Sequence, residues 1–244
     1  MTVIKELTTM DELKLMQNIE SKIWEMSPIP THQTFTAVKN GGIVLAAFVE
    51  DEIVGFCYGF AGFKDSKSYL CSHMLAIDPD YRSRNIGAKL KLRQREIAID
   101  KGYNLMTWTY DPLETRNAYL NLTKLNAVCN TYIENCYGEM TDGMNKGLPS
   151  DRFEVHWHLK NDCLSEDEDL DVSGAVPLNN VRNNGDGLLE FVSVNHDEQL
   201  SAHAYSLSVP KDFQELKSES PSLALDWRLK TRKRFQELFL ADYS

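Results

Sequence analysis

The stretch D-P-D-Y-R-S-R-N-I-G-A-K-L, residues 78–90, carries the residue types that best suit the binding of an anion. It follows the apolar, strand-like run 69–77 and opens a segment with helical spacing. A helix N-terminus presents unpaired N–H groups and the positive end of the helix dipole, and small residues let a ligand approach the backbone. Arg82 and Arg84 add positive charge. We therefore predict a loop that binds a phosphate group at the start of a helix.

The composition of the chain limits its partners. The 244 residues, of which 42% are hydrophobic, fit one domain plus a substantial extension, or two small domains. A formal net charge of −10 argues against a nucleic acid or an anionic membrane as partner. No apolar run approaches the roughly 20 residues that span a bilayer, and the first residues lack the apolar core of a signal peptide. The five cysteines show no C-x-x-C spacing, so neither a disulfide framework nor a metal site is indicated. We expect a cytoplasmic protein.

The residues before the loop predict a helix followed by an antiparallel meander. Thr9 and Glu12 have capping-box spacing and precede apolar residues at helical intervals, which predicts a helix over 10–24. The segment 26–36 contains two prolines and is predicted to be a loop. Three apolar runs separated by polar turns are the predicted strands, at residues 42–49, 53–60 and 69–77.

The residues after the loop predict a helix over 86–100 and a strand over 105–110. Because a helix connects it to the preceding strand, this strand should run parallel to that one. A short helix over 116–124 and two further strands over 128–137 and 153–159 complete the pattern, the two strands being joined by the polar loop 138–151.

The composition changes after Lys160. An acidic run, 165–171, is typical of a solvated linker, and residues 179–187 are polar and turn-rich. Strand-like runs and a basic amphipathic helix follow, at residues 188–194, 205–209 and 223–240. We therefore predict a first domain over 1–160, a linker over 161–187 and a C-terminal extension over 188–244.

This order of elements resembles the GCN5-related N-acetyltransferase (GNAT) superfamily, whose members bind acyl-coenzyme A. The central motif of the family, Arg/Gln-x-x-Gly-x-Gly/Ala, falls on Arg82, Asn85 and Gly87, so asparagine replaces the first glycine. Asparagine is the least costly substitute for glycine where φ is positive. The resemblance covers about residues 1–160. It implies a mixed α/β fold with a mostly antiparallel sheet flanked by helices, to which the later residues add a C-terminal α/β extension.

The resemblance also implies how coenzyme A is held. Its pyrophosphate should bind the amides of the loop, and its pantetheine arm should pair with the edge of the strand before the loop. The cofactor-binding residues implied in this way are Leu75, Ala76, Ile77, Arg82, Ser83, Arg84, Asn85, Ile86, Gly87 and Ala88. The expected cosubstrate is acetyl-CoA or succinyl-CoA, and no metal ion is expected.

A narrower similarity concerns the acyl group. The segments D-P-L-E-T-R-N-A-Y-L-N-L-T-K-L-N-A and G-L-P-S-D-R are similar to a bacterial GNAT subgroup, some members of which are associated with N-succinylation of amino acids. A succinyl thioester would add a carboxylate that needs a cation. Arg116 or Arg152 could supply it, and the alternative for each is an ordinary surface ion pair.

The proton donor of the family is absent from its usual place. The family often carries a tyrosine four residues before a Gly-Phe pair, and the corresponding residue here is Leu122, before Asn126-Ala127. Tyr119, one helical turn away, and Tyr132, on the next strand, are the substitutes. For each, the alternative is a half-buried aromatic ring with a satisfied hydroxyl.

The candidate general base is Asp111, which follows the end of the parallel strand, where open α/β sites gather their functional groups. The alternative is a turn or capping role before Pro112. His73, on the strand that leads to the loop, is interpreted as a structural histidine. Positioning of the reactants is the other expected source of the rate.

The sequence thus predicts an acyl-CoA-dependent N-acyltransferase that moves an acetyl or succinyl group to a small amine, with an amino acid as one candidate acceptor. The alternative is a coenzyme-A-binding sensor or scaffold that performs no chemistry. A further hypothesis gives the residues after Lys160 a role in forming a homodimer or in covering the acceptor site.

Overall fold

The computed structural model describes residues 1–24, 27–140, 146–160, 173–194 and 200–244. The chain forms two compact units whose segments interleave. The first unit comprises Met1–Thr109, Leu120–Ala127 and His156–Cys163, and the second comprises Tyr110–Tyr119, Val128–Val155 and Leu164–Ser244. The predicted boundaries at 160 and 187 stay predictions, and the acidic run 165–171 lies outside the described residues.

The described elements are listed here in chain order. The strands are β1 (Thr2–Glu6), β2 (Ile43–Val49), β3 (Glu52–Lys64), β4 (Lys67–Ile77), β5 (Leu105–Tyr110), β6 (Val128–Ile133), β7 (Arg152–His158), β8 (Val176–Pro177), β9 (Asn179–Asn183), β10 (Leu189–Ser193) and β11 (Tyr205–Ser206). The α-helices are α1 (Met10–Trp24), α2 (Thr31–Lys39), α3 (Ile86–Asp100), α4 (Thr115–Ala118), α5 (Phe213–Glu219) and α6 (Pro221–Leu240).

The first unit is built on a sheet with strand order β1-β2-β3-β4-β5-β7. Strands β1 to β4 pair antiparallel, and β5 runs parallel to β4 as predicted. Strand β7 contributes residues 156–158 to this unit. The prediction of a mixed, mostly antiparallel sheet with helices is confirmed.

Strand alternation divides the apolar residues of the first unit between the two faces of its sheet. Phe56 and Tyr58 of β3 form one core cluster with Leu13 and Met16 of α1. Cys57, between them in sequence, points to the other face, where its thiol contacts the carbonyl of Leu90 in α3. The predicted capping box starts α1, since Glu12 N–H donates to Thr9 Oγ1 (3.3 Å) and Thr9 N–H donates to the Glu12 carboxylate (3.0 Å).

Two predictions for the N-terminal part were wrong or incomplete. The predicted loop 26–36 is helical from Thr31, because Pro30 occupies the N-cap of α2, where its missing N–H costs nothing. Strand β1 was not predicted at all. It is a short strand that pairs only with β2 among the described strands, and it alternates too few apolar residues to be recognised.

The second unit has a core of its own. Leu113 packs with Phe191 of β10, Phe213 and Leu216 of α5, and Trp227 of α6. The predicted helix 116–124 consists of α4 followed by a π-helical turn, Tyr119–Lys124. Helix α6 confirms the predicted C-terminal helix. Helix α5 and strands β8 and β9 were not predicted, because their segments are short and polar.

In the part of the chain described by the structure, none of the helices has the length and apolarity needed to cross a membrane.

Candidate active site

A buried aspartate starts the loop at the end of β4. The Asp78 side chain accepts the backbone N–H of Asp80 (3.1 Å), which caps a short 3₁₀ turn over Pro79–Tyr81. It also pairs with Lys22 Nζ of α1 at 2.7 Å. These contacts keep the pKa of Asp78 below its ordinary value, chiefly through the hydrogen bond from Lys22. Asp78 thus holds the first turn of the loop and links it to Lys22 of α1.

Asn85 adopts the conformation of the glycine that it replaces. Its φ of 60° and ψ of 20° lie in the left-handed region, and Ser83 also has a positive φ of 62°. Helix α3 begins at the next residue, and no side chain caps its first turn. The N–H groups at the start of α3 are therefore left for a ligand.

The two arginines of the loop brace it and keep their charge near the helix start. Arg82 Nε donates to the carbonyl of Ile77 (3.3 Å), and Arg84 donates to the carbonyl of Asp80 (3.1 Å). Arg84 also lies over the ring of Tyr81, 4.8 Å from its centroid. Both arginines are exposed. The loop thus combines uncapped amides with two cations, which suits a phosphate group.

Strand β4 separates from β5 before it reaches the loop. The recorded pairs between the two strands are Leu70–Met106 and Cys71–Thr107. Residues 75–77 pair with β3 on their other side. In the described part of the first unit, the outward-facing backbone groups of 75–77 therefore line an open edge that an extended ligand could use.

A buried lysine lies where β4 and β5 separate. Lys91 of α3 is 1% exposed, its ammonium donates to Ser72 Oγ (2.7 Å), and it lies 3.6 Å from the ring centroid of Trp108. Ser72 in turn donates to Gln94 Oε1 at 2.6 Å. Burial lowers the pKa of Lys91 from 10.5 to about 7.

The lowered pKa of Lys91 predicts that the stability of the protein depends on pH. Below pH 7 the folded state must bury the full charge. Between pH 7 and 10.5 the unfolded chain binds a proton that the folded state has lost. The free energy of unfolding should therefore rise with pH by up to about 1.4 kcal/mol per unit in that window. Urea unfolding at several pH values should show this rise in the wild type relative to Lys91→Met. Lys89→Met, exposed on the same helix, is the control and should keep the rise.

Comparison with known proteins shows which family the sequence of this region matches. A sequence model described as "Acetyltransferase (GNAT) family" matches residues 9–120, which include the loop and the first three helices. Residues 9–120 of this chain thus match a GNAT-family acetyltransferase domain. A search of curated protein sequences finds no match.

Solved structures share the fold of this GNAT domain. The yncA protein from Salmonella typhimurium, solved with its cofactor acetyl-CoA, has a TM-score of 0.52 and 13% identity, and the match covers 66% of this chain and 95% of that one. The ribosomal-protein-S18-alanine N-acetyltransferase from Escherichia coli has a TM-score of 0.51 and 15% identity, with 65% and 94% covered. Nearly all of each neighbour is thus matched, while about a third of this chain lies outside the likeness.

Asp111, the predicted base, lies in the second unit and is held by arginines. Its carboxylate accepts two hydrogen bonds from Arg228, one of them at 2.8 Å, and the N–H of Leu113 at 2.9 Å. Arg152 lies 3.9 Å away. Arg228 is 1% exposed, and its ion pair with Asp111 keeps its pKa raised against the effect of burial. This geometry suits a structural ion pair better than a general base that takes a proton from the substrate.

The two predicted tyrosines differ in their surroundings. The Tyr132 hydroxyl donates to Asp151 Oδ2 (2.6 Å), and burial together with that hydrogen bond raises its pKa. Asp151 also pairs with Arg232 at 2.8 Å. A hydroxyl bound to a carboxylate is a poor proton donor. Tyr119 is 57% exposed. It is the first residue of the π-helical turn that also contains Leu122.

The conformation of Asn126 agrees with the family resemblance in this segment, in which a leucine stands where the family often has a tyrosine. Asn126 occupies the position of the glycine in the Gly-Phe pair and has a positive φ of 51°. Asparagine thus replaces glycine at a left-handed position twice in this domain, here and at Asn85. The residue four positions earlier in the chain is therefore Leu122, as counted from the sequence.

A cavity of about 680 Å³ in the first unit escaped the sequence analysis. It is lined by Ile29, His32, Gln33, Thr36, Ala37, Tyr58, Phe60 and His73. The sequence predicted a loop over 26–36, so neither the helix that begins at Thr31 nor its packing against the strands was recognised. Among the described residues, no three His, Cys, Asp or Glu side chains cluster in a way that could hold a metal ion.

Proposed function

We propose that this protein is an acyl-CoA-dependent N-acyltransferase that transfers an acetyl group to a small amine. The observation that carries the proposal is the uncapped start of α3 behind Asn85, next to the open edge of β4. A pyrophosphate suits the first feature, and an extended amide-containing arm suits the second. Coenzyme A contains both groups in that order.

The loop and the strand then have defined tasks. The N–H groups of residues 85–88 and the charges of Arg82 and Arg84 bind the pyrophosphate. The backbone of residues 75–77 pairs with the pantetheine arm, and one N–H of that edge stabilises the oxyanion of the tetrahedral intermediate. Loss of one such donor costs about 10²–10³ in rate in other acyl-transfer enzymes.

Acetyl is the proposed acyl group because the matching family model is described as an acetyltransferase. Of the two arginines that a succinyl carboxylate could use, Arg152 is already engaged. It is 7% exposed, donates to the carbonyl of Asp151 (2.8 Å) and lies 3.9 Å from Asp111. Arg116 is exposed and has no ion pair among the described residues, so it is the arginine that a succinyl carboxylate would use.

The group that protonates the departing thiolate is proposed to be Tyr119 rather than Tyr132, because Tyr119 is exposed and Tyr132 is bound to Asp151. Asp111 has a lower claim to the role of base because Arg228 holds its carboxylate.

The test is release of free coenzyme A thiol from acetyl-CoA or succinyl-CoA in the presence of a panel of amines. We expect turnover with acetyl-CoA and at least one amine, and slower or no turnover with succinyl-CoA. Binding of acetyl-CoA without turnover of any amine over hours would instead identify a sensor or scaffold. Failure to bind acetyl-CoA at all would contradict both functions.

A further inference from the structure

A β-bulge turns His73 toward the cavity. Tyr58 pairs with Met74 and Phe60 pairs with Cys71, so β4 has one more residue than β3 between these pairs. The bulge lets His73 share a face with Met74, its neighbour in sequence, which regular alternation would forbid. Ser72 takes the opposite face, toward Lys91.

Aromatic contacts hold the histidine ring in the cavity wall. Its centroid lies 5.7 Å from that of Phe60 and 6.3 Å from that of Tyr58, edge to face in both cases. Among the described residues, neither the His73 ring nor the Tyr58 hydroxyl has a hydrogen-bond partner. Two polar groups in one wall are thus available to a ligand.

The position of His73 on β4 relates the cavity to the acyl group. If the pyrophosphate lies at the start of α3, the pantetheine arm runs back along residues 75–77, and its thioester end points toward His73. Leu75 is two positions after His73 on β4, which is roughly 7 Å along a strand. An amine in the cavity therefore lies at the end of the arm where the acyl carbon is expected.

The lining of the cavity restricts the amine. None of its eight side chains is an aspartate, glutamate, lysine or arginine, and Tyr58, Phe60 and His73 form an aromatic wall. A second ammonium or a carboxylate on the acceptor would find no charged side chain in this lining, whereas an aromatic body would pack against the aromatic wall. An apolar or aromatic body with a single amine fits this lining.

Building on the proposed function, we propose that the cavity binds the acceptor as an amine with an uncharged, aromatic or apolar body, and that His73 is the catalytic base. The imidazole takes one proton from the ammonium. The amine nitrogen then forms a bond to the acyl carbon, and the carbon–sulfur bond breaks. The proton donor gives its proton to the departing sulfur and takes the second proton of the nitrogen. The exposed face of His73 returns its proton to water.

The groups around His73 leave its ring neutral near neutral pH. Partial desolvation by the surrounding protein lowers its pKa, although its side chain remains accessible. The titratable side chains beside the ring are His32 and Tyr58, which line the same cavity, and Cys71 and Glu20 act on the pKa of Tyr58. The His73 ring forms no ion pair or hydrogen bond among the described residues. Glu20 instead accepts the N–H of Ile29.

The first experiment compares His73→Asn with the wild type in steady-state kinetics. Loss of the base should lower kcat/KM for the amine by about 10²–10⁴, with the affinity for acetyl-CoA unchanged. The wild-type kcat/KM should fall as the pH drops below the pKa of His73, and the variant should lose that limb of the profile. His158→Asn, an exposed strand histidine, is the control and should behave as the wild type.

The second experiment tests the amine class with 2-phenylethylamine, spermidine and phenylalanine. We expect kcat/KM to favour 2-phenylethylamine by at least about tenfold. Gln33→Glu, on the exposed side of the cavity, should shift the preference toward spermidine. A preference for phenylalanine or spermidine in the wild type would overturn the amine class.

The outcomes separate the inference from the proposed function. Turnover of an amine with unchanged rate and pH profile in His73→Asn would overturn the role of His73 and leave the acyltransferase intact. A readout independent of turnover is the imidazole signal of His73 in NMR, identified by its loss in His73→Asn. It should shift when 2-phenylethylamine is added, and an unmoved signal would overturn the cavity as the acceptor site.

Discussion

Replacing Gly87 by aspartate is expected to abolish coenzyme A binding without harming the fold. A Cβ at this position would lie 3.6 Å from Leu120 Cδ2 and 3.7 Å from Leu75 Cδ2, which is ordinary contact. A carboxylate in the first turn of α3 would face the positive end of the helix dipole and stabilise the free protein by about 0.3–1 kcal/mol. The same carboxylate would repel the pyrophosphate at the site where it should bind.

Calorimetric titration with acetyl-CoA measures the effect. Gly87→Asp should lose more than about 10²-fold in affinity, a cost of roughly 3 kcal/mol, while its thermal stability in the absence of ligand stays the same or rises. Gly87→Ala is the matched control, since the family motif admits alanine there, and it should bind as the wild type does. Wild-type affinity in Gly87→Asp would mean that the pyrophosphate does not bind at the start of α3.

Removing the carboxylate of Asp111 is expected to destabilise the second unit rather than to slow catalysis selectively. Arg228 is 1% exposed and depends on Asp111 for its ion pair. Asp111→Ala would leave a buried guanidinium unpaired, which typically costs about 3–5 kcal/mol. The N–H of Leu113 would also lose its acceptor.

Chemical denaturation followed by circular dichroism measures this loss. The double variant Asp111→Leu/Arg228→Met removes both charges and should recover most of the stability, because a buried ion pair and an apolar pair of similar volume often differ little. If Asp111→Ala kept its stability but lost about 10²–10⁴ in kcat, the carboxylate would be the general base after all. The ion pair with Arg228 would then be incidental.

The conformation of the loop 78–90 could be predicted from sequence because its physics is local. Residues 78–90 carry the strand end, the small residues and the helix start within one short segment, and positive φ at Asn85 follows from the motif that it completes. The same locality explains why α3 and β5 were predicted with their observed bounds. The open edge of β4 follows from the family resemblance, and the register with β5 gives it a structural basis.

The surroundings of the candidate catalytic groups could not be predicted from sequence, because they depend on contacts between distant segments. Asp111 and Arg228 are 117 residues apart, and Tyr132 and Asp151 are 19 apart. The sequence predicted only that α6 is a basic amphipathic helix, and the structure shows that Arg228 and Arg232 pair with Asp111 and Asp151 within the second unit.

The sequence by itself determined the strand, loop and helix start around residues 78–90, the order of the central elements and the resemblance to the GNAT family, because each rests on residues close together in the chain. Only the tertiary structure decided that Asp111 and Tyr132 are engaged by charged partners and that His73 faces a cavity. The reason for the last point is one additional residue in β4. A bulge reverses the face on which a side chain lies, and it depends on the register between two strands rather than on the residues of either strand alone.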